Sequence, residues 1–140
     1  MASVEFTPEG VVVGLRRRTG RPLSPCGWKG RGCYDSSRRR WRHLNLGSSK
    51  LMLEAEIRRM HCRRCDRVVT EAMPWARARA RHSRDFEDVI AWLAQRSDKT
   101  TISRLMRSSW ETVAGIVTRV VAEQIDTARL TGCCASGSTR

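Results

Sequence analysis

The chain has 140 residues and a formal net charge of +13, and it contains no run of 18 apolar residues, which excludes a membrane-spanning helix. Residues 1–9 mix charged and small side chains and lack the apolar core of a signal peptide, so we expect a cytoplasmic protein. In that compartment, six cysteines indicate metal ligands or reactive thiols rather than disulfides.

The first half of the chain is predicted to form short strands and turns. Residues 11–15 are rich in β-branched side chains, and residues 22–32 are rich in proline and glycine. Residues 41–46 and 51–58 alternate apolar and polar side chains, as half-buried strands do, and Gly47-Ser48-Ser49 would join them as a hairpin. Residues 70–82 show no period and are predicted to be a linker.

From Ser83 the apolar period lengthens from two to 3.6, which predicts three short helices. Thr100 or Thr101 could cap the second helix, and Ser108 with Glu111 has the spacing of a capping box at the start of the third. The predicted inward stripes are Phe86, Val89, Ile90 and Leu93, then Ile102, Leu105 and Met106, then Val113, Ile116, Val117, Val120 and Val121. Trp41, Trp75, Trp92 and Trp110 are expected to be core residues or strand-pairing aromatics, with base stacking as the alternative. Asp85, Glu87 and Asp88 are interpreted as first-turn carboxylates that complement the helix dipole.

The positive charge is confined to the first part of the chain. Residues 1–84 contain 20 basic and 7 acidic side chains, whereas residues 85–140 contain 7 of each. Such a concentration predicts contact with a polyanion, most commonly nucleic acid, with a solvated charged surface as the alternative.

Four cysteines are the candidate metal ligands. Cys62 and Cys65 are separated by two residues, a spacing that brings two thiolates onto one zinc ion. A structural zinc site has four ligands, so a second pair is expected upstream, where Cys26 and Cys33 lie. His43 or His61 could replace Cys33 as the fourth ligand, and buried apolar cysteines are the alternative to a metal site. Cys133 and Cys134 are predicted to lie in an unstructured tail.

Several motifs, in order, resemble the ISL3 family of insertion-sequence transposases. They occupy residues 40–47, 53–59, 62–65, 74–77, 86–89, 91–96, 98–101, 110–113 and 116–121. The resemblance covers about residues 11–132. It implies a zinc ribbon followed by a helix-turn-helix, ahead of an RNase-H-like catalytic domain that uses an Asp/Glu triad and divalent metal. We therefore predict an α+β fold, with a zinc-ribbon-like β module at 1–69, the linker at 70–82, a three-helix bundle at 83–130 and a disordered tail at 131–140.

The chain departs from the family pattern at two places. Ser24 stands where the family has one of its first two metal-binding cysteines, so the site is either weakened or completed by Cys33. After residue 132, relatives continue into the strand that carries the first catalytic aspartate, whereas here residues 133–140 are small and polar. We hypothesise a frameshift, which the coding DNA tests because restoring the frame should recover the aspartate strand. This chain is accordingly expected to have no catalytic residues of its own.

The resemblance implies sequence-specific binding to double-stranded DNA at the terminal inverted repeats of an element in the bacterial nucleoid. Contacts to phosphates are expected from the arginine clusters of the first half, namely Arg16, Arg17, Arg18, Arg38, Arg39, Arg40, Arg42, Arg63 and Arg64. The third helix would enter the major groove with Glu111, Thr112, Thr118 and Arg119. Lys99, Thr100, Thr101, Arg104 and Arg107 would flank it on the backbone. Self-association, or association with full-length transposase, is a further expectation.

Three other functions fit parts of the pattern. A stand-alone zinc-ribbon repressor would occupy the element ends without cutting them. An RNA-binding ribbon would prefer RNA to duplex DNA in competition. An active nuclease is disfavoured, because no acidic cluster has the arrangement for two-metal chemistry.

Overall fold

The computed structural model describes residues 3–18 and 20–133, with side chains up to residue 124. Five strands form one sheet: β1 (Ser3–Thr7), β2 (Gly10–Leu15), β3 (Asp35–Leu46), β4 (Ser49–Cys62) and β5 (Arg67–Thr70). Three helices follow: α1 (Arg84–Leu93), α2 (Lys99–Met106) and α3 (Trp110–Cys133). The last residues of α3 include Cys133, which was predicted to lie in an unstructured tail, and the rest of that predicted tail, with Cys134, lies outside the described residues. The predicted α+β arrangement is confirmed, and β1 and β5 are additions that the sequence pattern did not predict.

The sheet is built around β4, which pairs with three other strands. The strand order is β1-β2-β4-β3, and β5 pairs with the last residues of β4. β2 and β4 are parallel, and every other pair is antiparallel. The predicted hairpin is confirmed: Leu46 pairs with Ser49, and Gly47 adopts a φ of 59° in the turn between them. Glycine suits this turn because a positive φ crowds the Cβ of other residues.

The core of the sheet unit centres on Trp41, which is 1% exposed and packs with Ala55, Ile57 and Ala76. Trp75 meets Trp41 edge-to-face, with 5.8 Å between the ring centroids. Aromatic pairs favour this geometry because the positive ring edge meets the negative ring face. The sequence prediction of core positions therefore holds for Trp41 and, in part, for the half-buried Trp75.

Residues 71–82 pack against the sheet unit, although their lack of a period suggested a linker. Ala76 and Ala80 are buried. The backbone of Arg42 donates to the carbonyl of Arg81 at 2.9 Å and accepts from the amide of Ser83 at 2.8 Å. The apolar residues of an irregular segment can pack without any period, so periodicity does not detect them. The chain divides into two compact units, residues 1–86 and 87–140.

Side chains that accept hydrogen bonds from first-turn amides mark where each helix begins. Ser83 Oγ accepts from the Phe86 amide, and Asp98 accepts from the Thr101 amide at 3.0 Å. Ser109 Oγ accepts from the Thr112 amide at 3.2 Å. Asp98 and Ser109 are therefore the caps of α2 and α3, which corrects the prediction of Thr100 or Thr101 for α2 and of Ser108 for α3. Short side-chain acceptors next to the first turn can compete for the same amides, so the sequence alone misplaces the cap by one to three residues.

The second unit buries most of the predicted stripes. Its buried apolar side chains are Ile90, Ile102, Met106, Val113, Ile116 and Val120. Leu105 and Val121, which were predicted to face inward, are 59% and 44% exposed. Trp92 and Trp110 are 54% and 53% exposed, so their predicted core positions are wrong. Each lies beside a cation, Arg96 Cζ at 4.5 Å from the Trp92 ring centroid and Lys99 Nζ at 4.9 Å from that of Trp110. Among the described residues, no helix is both long enough and apolar enough to cross a membrane.

Candidate metal centre and nucleic-acid interface

Three thiols meet at one end of β4. Cys62 is the last residue of β4 and is buried, Cys65 is exposed in the turn before β5, and Cys26 comes from the loop between β2 and β3. Their Sγ atoms all lie within 4.8 Å of one another, and Cys26 and Cys62 are 3.4 Å apart. Two sulfurs bound to one tetrahedral zinc ion lie about 3.8 Å apart, given Zn–S bonds of about 2.3 Å. The cluster therefore fits a zinc ion.

The loop carrying Cys26 is shaped by backbone hydrogen bonds. The amide of Ser24 donates to the carbonyl of Trp28 at 2.8 Å, and the amide of Gly27 donates to the carbonyl of Ser24 at 2.9 Å. Gly27 has a φ of 86°, which only glycine adopts without strain. This tight turn directs both Ser24 and Cys26 toward the cluster.

Ser24 is the fourth polar side chain at the cluster. It is 1% exposed, and its Oγ lies 3.2 Å from Cys26 Sγ. Cys33, predicted as the fourth ligand, lies outside the cluster, and its thiol donates to the carbonyl of Asp35 at 3.1 Å. The two alternative histidines also lie elsewhere, since His43 Nδ1 is 2.7 Å from Ser83 Oγ and His61 Nε2 is 3.5 Å from Asp66 Oδ1.

The cysteine pKa values diverge inside the cluster. The hydrogen bond with Ser24, followed by a backbone hydrogen bond at Trp28, lowers the pKa of Cys26 to about 6. Hydrogen bonds with Cys26 and Cys62 raise the pKa of Cys65 to about 11. Thiols that crowd together resist losing their second and third protons, because the thiolates repel each other. A divalent cation supplies the positive charge that allows all three to be deprotonated.

The predicted phosphate contacts of the first unit fall into two groups. Arg17, Arg39 and Arg42 are partly buried and bonded within the protein. Arg17 pairs with the buried Glu71, and Arg39 donates to the carbonyls of residues 79 and 80. The guanidinium of Arg42 lies 5.6 Å from the centroid of the Phe86 ring. The exposed group comprises Arg16, Arg18, Arg38, Arg40, Arg63 and Arg64.

The exposed arginines are distributed along the sheet unit. Arg63 and Arg64 occupy the turn between two cluster cysteines, and Arg64 Nη1 donates to the carbonyl of Cys26 at 3.2 Å. Arg38 and Arg40 alternate with Arg39 along β3, and both pair with Glu54, at 3.9 and 2.6 Å. These two arginines keep high exposure, 85% and 55% of the side chain, so a surface ion pair does not remove them from contact with solvent.

The predicted contacts of the second unit are mostly exposed. Those with exposed side chains are Lys99, Thr100, Thr101, Arg104, Arg107, Glu111, Thr118 and Arg119, and Thr112 is half-buried. Several of them also have partners within the protein: Thr101 bonds to the cap Asp98. Arg119 pairs with Glu87, whose side chain is 0% exposed, and Lys99 lies beside the Trp110 ring.

Two family models match the chain. Residues 25–65 match the zinc-finger of transposase IS204/IS1001/IS1096/IS1165, and residues 71–121 match the helix-turn-helix domain of transposase family ISL3. The chain belongs to the ISL3 transposase family. It carries the zinc ribbon and the helix-turn-helix of that family, as the ordered motifs predicted.

Curated relatives of this ISL3 chain include two transposases for insertion sequence element IS1557, from Mycobacterium tuberculosis strains CDC 1551 / Oshkosh and ATCC 25618 / H37Rv. Each is 42% identical over 107 residues, which covers 76% of this chain. The chain spans 23% of the length of these relatives. No solved structure matches it significantly.

The surroundings of two residues of this ISL3 chain differ from what the sequence pattern indicates. Glu71 is 6% exposed, accepts from the amide of Arg58 at 2.8 Å and pairs with Arg17. No sequence signal identifies it, because its partners lie 13 and 54 residues away. Trp110 is exposed at the first residue of α3. Its spacing from Val113 and Val117 continues the predicted apolar stripe, so the helical period gave no signal of this exposure.

Proposed function

We propose that this chain binds double-stranded DNA at the ends of an insertion-sequence element and acts in its transposition within a bacterial cell. Zinc held by Cys26, Cys62 and Cys65 would stabilise the sheet unit. The exposed arginines would contact phosphates, and α3 would contact bases. The family membership, which covers both modules, supports DNA as the partner.

The observation that carries this proposal is the position of Arg63 and Arg64 between two clustered cysteines. A zinc ion bound at the cluster would fix both ends of the turn that presents them. Fixed cations bind phosphate with a smaller loss of side-chain and backbone entropy than mobile ones. The metal would therefore contribute to DNA affinity through the geometry of the turn, without contacting the DNA.

The helical unit would supply sequence discrimination. In a helix-turn-helix, the N-terminal end of the second helix enters the major groove. Here α3 begins at Trp110, and Glu111 and Thr112 lie in its first turn. Thr118 and Arg119 lie about two turns further on, and Lys99, Thr100, Thr101, Arg104 and Arg107 would flank the groove on the backbone.

We further propose that the chain itself does not cleave DNA, and that it associates with a second copy or with full-length transposase on the element. Incubation of the purified chain with magnesium and end-labelled duplex tests the first statement, and specific cleavage would contradict it. Light scattering of the protein, alone and bound to one element end, tests the second.

The central experiment measures binding to the element end by fluorescence anisotropy, with a scrambled duplex as the reference. Cys65→Ser and Cys33→Ser form a matched pair, because both cysteines are exposed and only Cys65 belongs to the cluster. We expect Cys65→Ser, or a chelator, to weaken binding and reduce bound zinc, whereas Cys33→Ser should leave both unchanged. Equal effects of the two substitutions would contradict the metal assignment.

Competition separates the alternative functions. Unlabelled duplex DNA should displace the labelled element end far more effectively than structured RNA of the same length does. Preferential displacement by RNA would favour an RNA-binding module. Equal affinity for the element end and the scrambled duplex would contradict sequence-specific binding.

A further inference from the structure

A cavity of about 870 Å³ lies in the sheet unit, beside the end of β2 and the middle of β4. Its apolar lining includes Leu15, Ala55, Met73 and Trp75, which are buried or partly buried around the core. Its charged lining comprises two glutamates and six arginines, Arg16, Arg17, Arg18, Arg21, Arg38 and Arg58. The volume is in the range of cavities that hold a whole small organic ligand, and it exceeds what a single phosphate fills.

The lining has an excess of positive charge after its ion pairs are counted. Glu54 pairs with Arg38 and Arg40, and Glu56 pairs with Arg58. Arg16, Arg18 and Arg21 are exposed and have no acidic partner within 4.0 Å in the part of the chain that the structure describes. Cations that line a concave surface raise the local concentration of anions, because the low-dielectric walls focus their field.

Two buried donors of the lining residues have no acceptor. Within residues 3–18 and 20–124, Arg17 Nη1 and Trp75 Nε1 have no hydrogen-bond partner, although Arg17 also pairs with Glu71. Buried donors of this kind are uncommon in folded proteins, since each one loses its bonds to water. Both residues line the cavity, so a ligand with an acceptor group could supply the partner that each donor lacks.

We propose that this cavity binds a nucleoside phosphate, with the phosphate on Arg16, Arg18 and Arg21 and the base against Leu15, Met73 and Trp75. The combination of an apolar surface with adjacent arginines is the one that proteins use for unpaired nucleotides. The inference rests on the proposed function, because bound DNA would supply such a nucleotide from an unpaired strand end. A free nucleotide has the same base and phosphate groups and is the other source of a ligand for this cavity.

The experiment compares three DNA ligands by anisotropy: a blunt element end, the same duplex with a phosphorylated single-stranded overhang, and that overhang with abasic residues. We expect the overhang to bind about tenfold more tightly than the blunt end, as one stacked base allows. The abasic overhang should lose most of this gain. The indole Nε1–H resonance of Trp75, assigned with Trp75→Phe, should shift with the overhang and not with the blunt end.

Paired substitutions test which residues are responsible for the tighter binding of the overhang. Arg18→Gln with Arg21→Gln removes two charges of the lining, and Lys29→Gln with Arg31→Gln removes two exposed charges of the same unit that do not line the cavity. Both double variants should lower affinity for the blunt duplex by similar factors, and only the first should abolish the preference for the overhang. Equal melting temperatures in circular dichroism would show that both variants fold.

The outcomes distinguish this inference from the proposed function. Equal affinity for blunt and overhanging ends overturns the inference and leaves duplex binding intact, whereas failure to bind any duplex overturns the proposed function. Competition with deoxyadenosine monophosphate tests the free nucleotide as source, and displacement of the overhang at micromolar concentration would assign the cavity to it. Displacement by inorganic phosphate at the same concentration would overturn the contact with the base.

Discussion

The buried carboxylate of Glu87 predicts that Arg119 stabilises the helical unit. Glu87 lies in α1 with its side chain 0% exposed, and the side chain of Arg119, in α3, is 46% exposed. Loss of the arginine would leave a buried carboxylate without its cation, which costs about 3–5 kcal/mol in buried pairs. Glu87 has further polar contacts, so we expect Arg119→Gln to lower the free energy of unfolding by the smaller figure, about 3 kcal/mol. Glu87→Gln should cost about 1 kcal/mol, because Arg119 can turn toward water.

Urea unfolding of the full chain, followed by helix circular dichroism, measures both values. Arg104→Gln is the control, because Arg104 is an exposed arginine of α2 without an ion pair in the described part of the chain. Its effect should stay within about 0.5 kcal/mol. Equal stability of Arg119→Gln and Arg104→Gln would refute a stabilising role for the ion pair between Arg119 and Glu87. A stable Arg119→Gln variant with weaker DNA binding would instead assign Arg119 to DNA contact.

Three further predictions concern the metal site, the tryptophans and pH. Ser24→Cys should raise zinc affinity, measured by competition with a chelating dye, since it offers a fourth thiolate beside Cys26; unchanged affinity would mean that residue 24 is not a ligand position. Trp41→Ala should cost about 3–5 kcal/mol in thermal unfolding, whereas Trp110→Ala should cost less than about 0.5 kcal/mol; similar losses would contradict the difference in burial. Hydrogen bonds from Thr101 hold the pKa of Asp98 below its usual value, so its contribution to stability is present above the unfolded pKa and is lost as pH falls through the folded pKa. Asp98→Asn should remove that acid-dependent part of the helix unfolding curve and should change little at pH 7, and a curve unaltered by the substitution would argue against the cap.

Much of the fold was predictable because both apolar periods of the sequence, two residues in the strands and 3.6 in the helices, arise from the burial of one face of each element. The alternation in residues 41–58 predicted two paired strands, and it placed Trp41 correctly in the core. The 3.6-residue period predicted three helices and the buried Ile90, Ile102 and Val113. β1 and β5 were missed because they are short and mostly exposed, so burial imposes little pattern on them.

The candidate metal site was predictable only in part. The spacing of Cys62 and Cys65 identified one half, because two ligands on one tight turn are a local feature. The fourth position depends on how the loop containing Cys26 folds over β4, and this depends on the turn at Gly27. Sequence spacing therefore offered Cys33, whereas the structure directs its thiol to the carbonyl of Asp35. Similarly, no local signal pairs Arg17 with Glu71.

The uneven distribution of charge predicts that affinity and specificity can be separated by mutation. Arg63→Gln with Arg64→Gln should reduce the slope of log K against log salt by about 2, since each phosphate contact contributes about 0.9. Because phosphate contacts carry no sequence information, this variant should bind the element end and the scrambled duplex more weakly by the same factor. Glu111→Gln, in the first turn of α3, should instead weaken binding to the element end alone, by about tenfold for one base contact.

Anisotropy titrations at several salt concentrations on both duplexes measure the two effects together. The slope should respond only to the arginine variant, and the ratio of the two affinities should respond only to Glu111→Gln. A change in that ratio for the arginine variant would mean that the turn between Cys62 and Cys65 contacts bases. The sheet unit would then share in sequence recognition, and its positive charge would not account for its role.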